Sequence, residues 1–306
     1  MFALVLALIG SLITPTTEEL SGYNFNEEKE VTTIKFRTYK NLIIIPARLN
    51  DTIQLSLILD TGTRSLILFE RKCGKIGNLY RDRKIRIHGR GSMNLADAGF
   101  SFPNKITIGD ITGIGVGAAV LKESELSRAM PQVDGIIGYE LFVRFCIQID
   151  YAAQTITLHN RVPENTLQSF RSLRFTLVDQ HPIINSVIQT SRKKKITVST
   201  LIDTGSSMGL MVFTNQKENF QIQDVEMEIG TGLAGRVTGF LVGIPSCQLG
   251  DLKIFPENSK LVVTGGNPED KLFKVSASLG GGFLKDYVVM FSYATSQLFI
   301  KNKRDI

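Results

Sequence analysis

The chain has 306 residues, a hydrophobic fraction of 43%, a charged fraction of 21%, a formal net charge of +6 and a pI near 9.2. That length and balance fit one or two globular domains with cores of their own and exclude a disordered or low-complexity chain. The positive charge is spread out. Its dense runs, Arg81-Asp82-Arg83-Lys84, Arg192-Lys193-Lys194-Lys195 and Lys301-Asn302-Lys303-Arg304, lack interleaved aromatics and read as solvated loops or termini, so no nucleic-acid partner is expected.

Phe2 to Ile13 is apolar except for Gly10 and Ser11. Such a run is too short to span a bilayer and suits a signal-peptide core. Export to the periplasm, cell envelope or medium is the expectation. Because no Lys or Arg precedes the run and no Ala-x-Ala follows it, an uncleaved anchor, associating with a membrane through residues 2–13, stays open. Thr14 to Glu30 is polar and Glu-rich and reads as a connecting segment that could serve as a short pro-segment.

The rest reads as mostly β. Asn41 to Leu49 is β-branched and apolar, Asn50-Asp51 supplies turn residues, and Thr52 to Leu59 returns, a hairpin whose second strand leads to Asp60. Helix signals are few: Lys122 to Ala129, Tyr139 to Phe145 and a short turn over Gly282 to Asp286. Arg161 to Ser172, with Pro163 and Asn165 and little apolar periodicity, reads as a boundary. Beyond it the hairpin recurs: Pro182 to Gln189, a basic turn over Ser191 to Lys195, then Ile196 to Ile202 leading to Asp203. The expected division is a signal, anchor or linker segment over 1–30, a first half over 31–160, a linker over 161–172 and a second half over 173–306.

The two hairpins end in the same tripeptide. Asp60-Thr61-Gly62 and Asp203-Thr204-Gly205 each follow an apolar run, each precede a hydroxyl residue, Thr63 or Ser206, and stand 143 positions apart. Ile136-Ile137-Gly138 and Leu279-Gly280-Gly281 follow in their halves, with Gly138 and Gly281 again 143 apart. Gly89 and Gly91 align with Gly230 and Gly232, Ile108-Gly109-Asp110 with Leu249-Gly250-Asp251, and Tyr151 with Tyr293. Landmarks in one order at nearly one spacing imply an internal duplication. Two duplicated aspartates suggest carboxylates facing each other across a pseudo-twofold axis, where they would share a proton and work on one water.

With these motifs the chain resembles the aspartic proteases, and most the bacterial retropepsin-like and pepsin-like proteins that carry two lobes in one chain. The resemblance covers about residues 32 to 304. It implies a mainly β fold of two homologous closed β-barrel lobes related by a pseudo-twofold axis. It also implies an aspartic endopeptidase acting on peptide or protein substrates as a monomer, without cofactor or metal. Asp60 and Asp203 would activate the water. Thr61 and Thr204 would bond across to the opposite loop, Gly62 and Gly205 allow the loops' close approach, and Thr63 and Ser206 match hydroxyls that bond the carboxylates. The glycine motifs, Ile136-Ile137-Gly138 and Leu279-Gly280-Gly281, would pack on the loops. Gly280 departs from the second apolar residue of that pattern, which leaves open a peptide-binding protein with the same cleft and no catalysis. Glycine-rich stretches at Gly89 and Gly91, and at Gly230, Gly232 and Gly235, lie where the family places a flap.

Other chemistries find less support. Cys73, Cys146 and Cys247 cannot all pair within one chain, and no cysteine or histidine grouping has metal-ligand spacing. Cys146, in Phe145-Cys146-Ile147, reads as a buried small hydrophobe. His88, His159 and His181 lie far apart, which speaks against a Ser/His or Cys/His hydrolase.

Overall fold

A computed structural model describes residues 22–73, 83–89, 95–122, 124–190, 194–223, 225–256, 259–263 and 275–303. The apolar run 2–13 and Gly91 lie outside the described residues. The protein is mainly β, and among the described residues its strands form three sheets of nine, six and eleven.

The nine-stranded sheet belongs to the first half. Leu42–Leu49 and Ile53–Leu59 form its central hairpin, with Ile44 beside Ile58 and Leu49 beside Ile53. Asn50, Asp51 and Thr52 turn it, the first two at positive φ (46° and 62°), a conformation that asparagine and aspartate adopt more readily than most residues. The eleven-stranded sheet is built likewise around His181–Gln189 and Lys195–Asp203. In each half a short strand inserts beside the hairpin. Gly135–Ile137 runs parallel to Ile53–Leu59 and antiparallel to Leu66–Phe69. Ala277–Gly280 runs parallel to Lys195–Asp203 and antiparallel to Leu210–Thr214.

The six-stranded sheet is shared. Its order is Arg171–Arg174, Gln297–Asn302, Tyr287–Ser292, Cys146–Asp150, Thr155–His159 and Val31–Lys35, and the halves join where Ile147 lies beside Phe291. Its edge strand Val31–Lys35 alternates buried and outward residues, with Thr32 and Ile34 buried, whereas Tyr287–Ser292 between two neighbours is buried over Val288 to Ser292. The main apolar core runs unbroken from Leu57 and Leu59 through Phe142, Ile147 and Phe291 to Ile202 and Leu279, so both halves lean on one base. Cys146 and Cys247 are free and buried, and burial pushes their thiols up to about 12 and about 11.

Three expected elements shift. The helix expected over Lys122 to Ala129 is Glu125–Ala129, because Ser124 caps it and Ser127 returns the bond in a capping box. The helix over Tyr139 to Phe145 stops at Phe142, and that over Gly282 to Asp286 is Gly281–Leu284. The polar segment before residue 30 is not all connector. Gly22–Phe25 is a strand paired with Ile111 to Ile114, anchored by Tyr23, 4% exposed, against Gly113.

Candidate active site

Each Asp-Thr-Gly loop leaves the end of the second hairpin strand and meets its counterpart head on. Thr61 Oγ1 donates to the Ile202 carbonyl (2.6 Å) and accepts from the Thr204 amide (3.0 Å). Thr204 Oγ1 donates to the Leu59 carbonyl (2.8 Å) and accepts from the Thr61 amide (3.0 Å). Both threonines are buried completely, so each hydroxyl replaces water for the backbone of the opposite half. The interlock is reciprocal, and it uses threonine because one short side chain must donate and accept at once.

Each carboxylate is then held by its own loop's glycine. The Gly62 amide donates to Asp60 Oδ1 (2.6 Å) and the Gly205 amide to Asp203 Oδ1 (3.0 Å). A Cβ on Gly205 would lie 2.1 Å from Asp60 Cγ, and one on Gly62 would lie 3.3 Å from Asp203 Oδ1. Each loop's glycine therefore sits against the other loop's carboxylate, closely at Gly62 and at Gly205 with no room for a side chain. Asp203 is 8% exposed and Asp60 more open.

The glycine motifs brace the loops from behind. The Tyr139 amide donates to the Thr63 carbonyl (3.0 Å), and the Gly281 amide to the Ser206 carbonyl (2.7 Å). A Cβ on Gly138 would strike the Asp60 and Thr63 carbonyls, and one on Gly280 the Ser206 and Met208 carbonyls. These bonds give Gly280 the place in the second half that Gly138 holds in the first, where spacing alone gives it to Gly281. Counted in this register, Ile137 matches Leu279 and Ile136 matches Ser278. The missing apolar residue is thus Ser278, two places before Gly280, where the count from Gly281 puts it. Its hydroxyl donates to Asp203 Oδ2 at 3.0 Å. Gly281 instead packs against the Asn41 carbonyl, 2.3 Å from its would-be Cβ.

Three further groups surround the pair. His181 heads its strand after the turn Asp179-Gln180 and reaches the opposite loop, its Nε2 donating to the Gly62 carbonyl (3.0 Å). Burial lowers its basicity; the bond to Gly62 and the Asp203 charge act in the other direction. Tyr151 and Tyr293 lie beneath. Their hydroxyls are buried without a hydrogen-bond partner among the described residues, and both are pushed up first by burial, then by Asp203 for Tyr151 and Asp60 for Tyr293. Glu140, after the first glycine motif, is raised to about 7 by burial, and its charge helps raise buried Tyr23. The tyrosines were visible in the sequence as a matched pair; His181 and Glu140 carried no local signal there.

Of the glycines expected at a flap, Gly230, Gly232 and Gly235 lie on one hairpin, Met227–Gly232 with Gly235–Gly243, turning at Leu233-Ala234. Leu233 packs on the apolar cluster of the first half that includes Ile58, Ile136 and Leu121. Gly89, at the end of Arg83–His88, meets it there, since a Cβ on Gly89 would lie 2.6 Å from the Leu233 Cβ. Arg236 of this hairpin pairs with Glu125 (3.7 Å) and Glu228 (3.5 Å). No group of three or more His, Cys, Asp or Glu is placed to hold a metal ion among the described residues.

Residues 45–141 match the family model of aspartyl proteases, which supports an aspartyl protease family and, with it, a protease hydrolase in general. That span holds the first Asp-Thr-Gly loop and the first glycine motif. No curated protein matches the chain.

Proposed function

We propose that the protein is an aspartic endopeptidase of two homologous acid-protease lobes, the product of an internal duplication, with one catalytic aspartate from each. The observation that carries this reading is the reciprocal Thr61–Thr204 interlock, which sets each loop's glycine against the other loop's carboxylate. Nothing in core packing alone requires two carboxylates there; like charges set close together at a buried junction cost stability, and such an arrangement is characteristic of sites whose chemistry uses it.

In this mechanism the two carboxylates hold one proton and one water. The ionised aspartate accepts a proton from the water as its oxygen attacks the scissile carbonyl carbon. The protonated aspartate donates to the carbonyl oxygen as it gains charge. The resulting tetrahedral species collapses when the amide nitrogen receives a proton and the C–N bond breaks. The macroscopic titration belongs to the pair. The hairpin that turns at Leu233-Ala234 supplies a roof that would exclude water and bind an extended peptide by its strand edge. Export from the cell, in a bacterial setting, and function as a monomer complete the proposal. The apolar run 2–13 motivates the first, and the presence of both aspartates in one chain the last.

The test is cleavage of a random peptide library from pH 3 to 8 by the wild type, Asp60→Asn and Asp203→Asn, with a statine-type inhibitor as control. Each substitution should lower kcat/KM by more than about a thousandfold. The inhibitor, which resembles the tetrahedral species, should bind the wild type tightly. Peptides that bind without being cut would instead establish the silent peptide-binding alternative.

A further inference from the structure

We propose that Ser278 is a positioning residue of the pair, its hydroxyl holding the Asp203 carboxylate so that the two aspartates take unequal parts. The inference rests on reading Asp60 and Asp203 as a catalytic pair.

Three observations carry it. Ser278 is 1% exposed and its Oγ donates to Asp203 Oδ2 at 3.0 Å, while the Gly205 amide holds Oδ1 at 3.0 Å. Each oxygen therefore has its own donor, and the carboxylate plane is fixed on both sides. Second, the matching place in the first half holds Ile136, buried in an apolar cluster with Leu42, Ile58 and Phe69. This site on the inserted strand thus accepts an apolar β-branched side chain, and its backbone role does not call for a hydroxyl. A hydroxyl buried in such a place persists only when its hydrogen bond is made, and the partner it makes is the carboxylate of the reaction. Third, the chemistry needs one aspartate to accept a proton while the other donates. Two loops built alike would leave that choice undetermined. A donor on the Asp203 side, where the matching position of the first half holds Ile136, makes the surroundings of the two carboxylates unequal.

The experiment compares Ser278→Thr with Ser278→Val, which share a shape and differ in the hydroxyl, using a peptide substrate that the wild type cleaves. The Thr variant should keep the wild-type kcat and pH–rate profile. The Val variant should lose about ten- to a hundredfold in kcat with KM nearly unchanged, and the acidic limb of its profile should move up by about one pH unit. A merely structural role would not separate kcat from KM or move that limb. If β-branched side chains prevent folding there, Ser278→Ala against the wild type makes the same comparison. Equal kcat and equal profiles for Thr and Val, or for Ala and wild type, would overturn the proposal while leaving the protease reading intact. A wild type that neither cleaves peptides nor binds a statine-type inhibitor would remove the pair's catalytic role and this inference with it.

Discussion

The two Asp-Thr-Gly loops share their carpentry and differ in their surroundings. Both end a hairpin strand, both lie beside a parallel inserted strand, both are braced by a glycine, and both lock across by threonine. The differences stand one residue further out. Ile136 on one side is Ser278 on the other. Leu42, first in its strand after the positive-φ turn Lys40-Asn41, has His181 as its counterpart after Asp179-Gln180. The comparison teaches that bringing two carboxylates together is a backbone task, repeated in both halves, whereas making them unequal falls to side chains that need not repeat.

The glycines offer the strongest way to break the comparison. Gly205→Ala would drive a methyl group to 2.1 Å from Asp60 Cγ, closer than any carbon contact, and the aspartate cannot retreat without breaking its bond to Gly62. Gly62→Ala meets its nearest atom, Asp60 Oδ1, only at 3.0 Å, where a shift of a few tenths of an ångström is enough to relieve the contact. Gly205→Ala should therefore abolish cleavage and lower stability by several kcal/mol, on the order of 3. Gly62→Ala should leave measurable activity. Paired assays and denaturant melts check this; equal damage would mean that the loops are more alike than their contacts indicate.

The threonines test the symmetric part. Thr61→Val strips a donor from the Ile202 carbonyl and an acceptor from the Thr204 amide, and Thr204→Val does the same to Leu59 and Thr61. Leaving two buried backbone groups unpaired should destabilise each variant by roughly 2–4 kcal/mol. The two losses should agree within about 0.5 kcal/mol, and the double variant should lose less than their sum, since all four bonds form one network. Urea midpoints at constant slope give the numbers. A loss confined to one variant would show that only one half of the interlock bears load.

How much of this could be read beforehand depends on how local the signal is. Asp60, Asp203 and the two hairpins were legible because a strand, a turn and a tripeptide are written in consecutive residues. The register of the second glycine motif was not, because Gly280-Gly281-Gly282 offers three glycines in a row. Only the bond from the Gly281 amide to Ser206 tells which one braces the loop. Gly22–Phe25 was hidden in a Glu-rich segment, since four strand residues held by pairing to Ile111–Leu121 barely alter the composition around them. The shared sheet was equally silent, as its central pair joins Cys146–Asp150 to Tyr287–Ser292 across half the chain.

His181 is the least legible residue and gives the smallest expected effect. Its Nε2 donates to Gly62, whose amide in turn holds Asp60, and it is 4% exposed. Burial keeps it less basic than the ordinary 6.5, with Arg64 acting the same way and the Gly62 and Val178 backbone and Asp203 acting against them. The unfolded chain therefore binds the proton more readily than the folded one. Its contribution to stability is fully present above about pH 6.5 and is lost as pH falls through the lower folded value. His181→Leu copies the residue at the matching place in the first half. At pH 7.5 the loss of the bond to Gly62, set against the added apolar burial, should leave the variant about 1 kcal/mol less stable. Because leucine does not titrate, that gap should narrow toward pH 5 as the wild type weakens and the variant does not. Thermal or urea melts at both pH values measure it. A gap that widens in acid would mean that the folded histidine holds its proton, and that the Asp203 charge, rather than burial, governs this side of the pair.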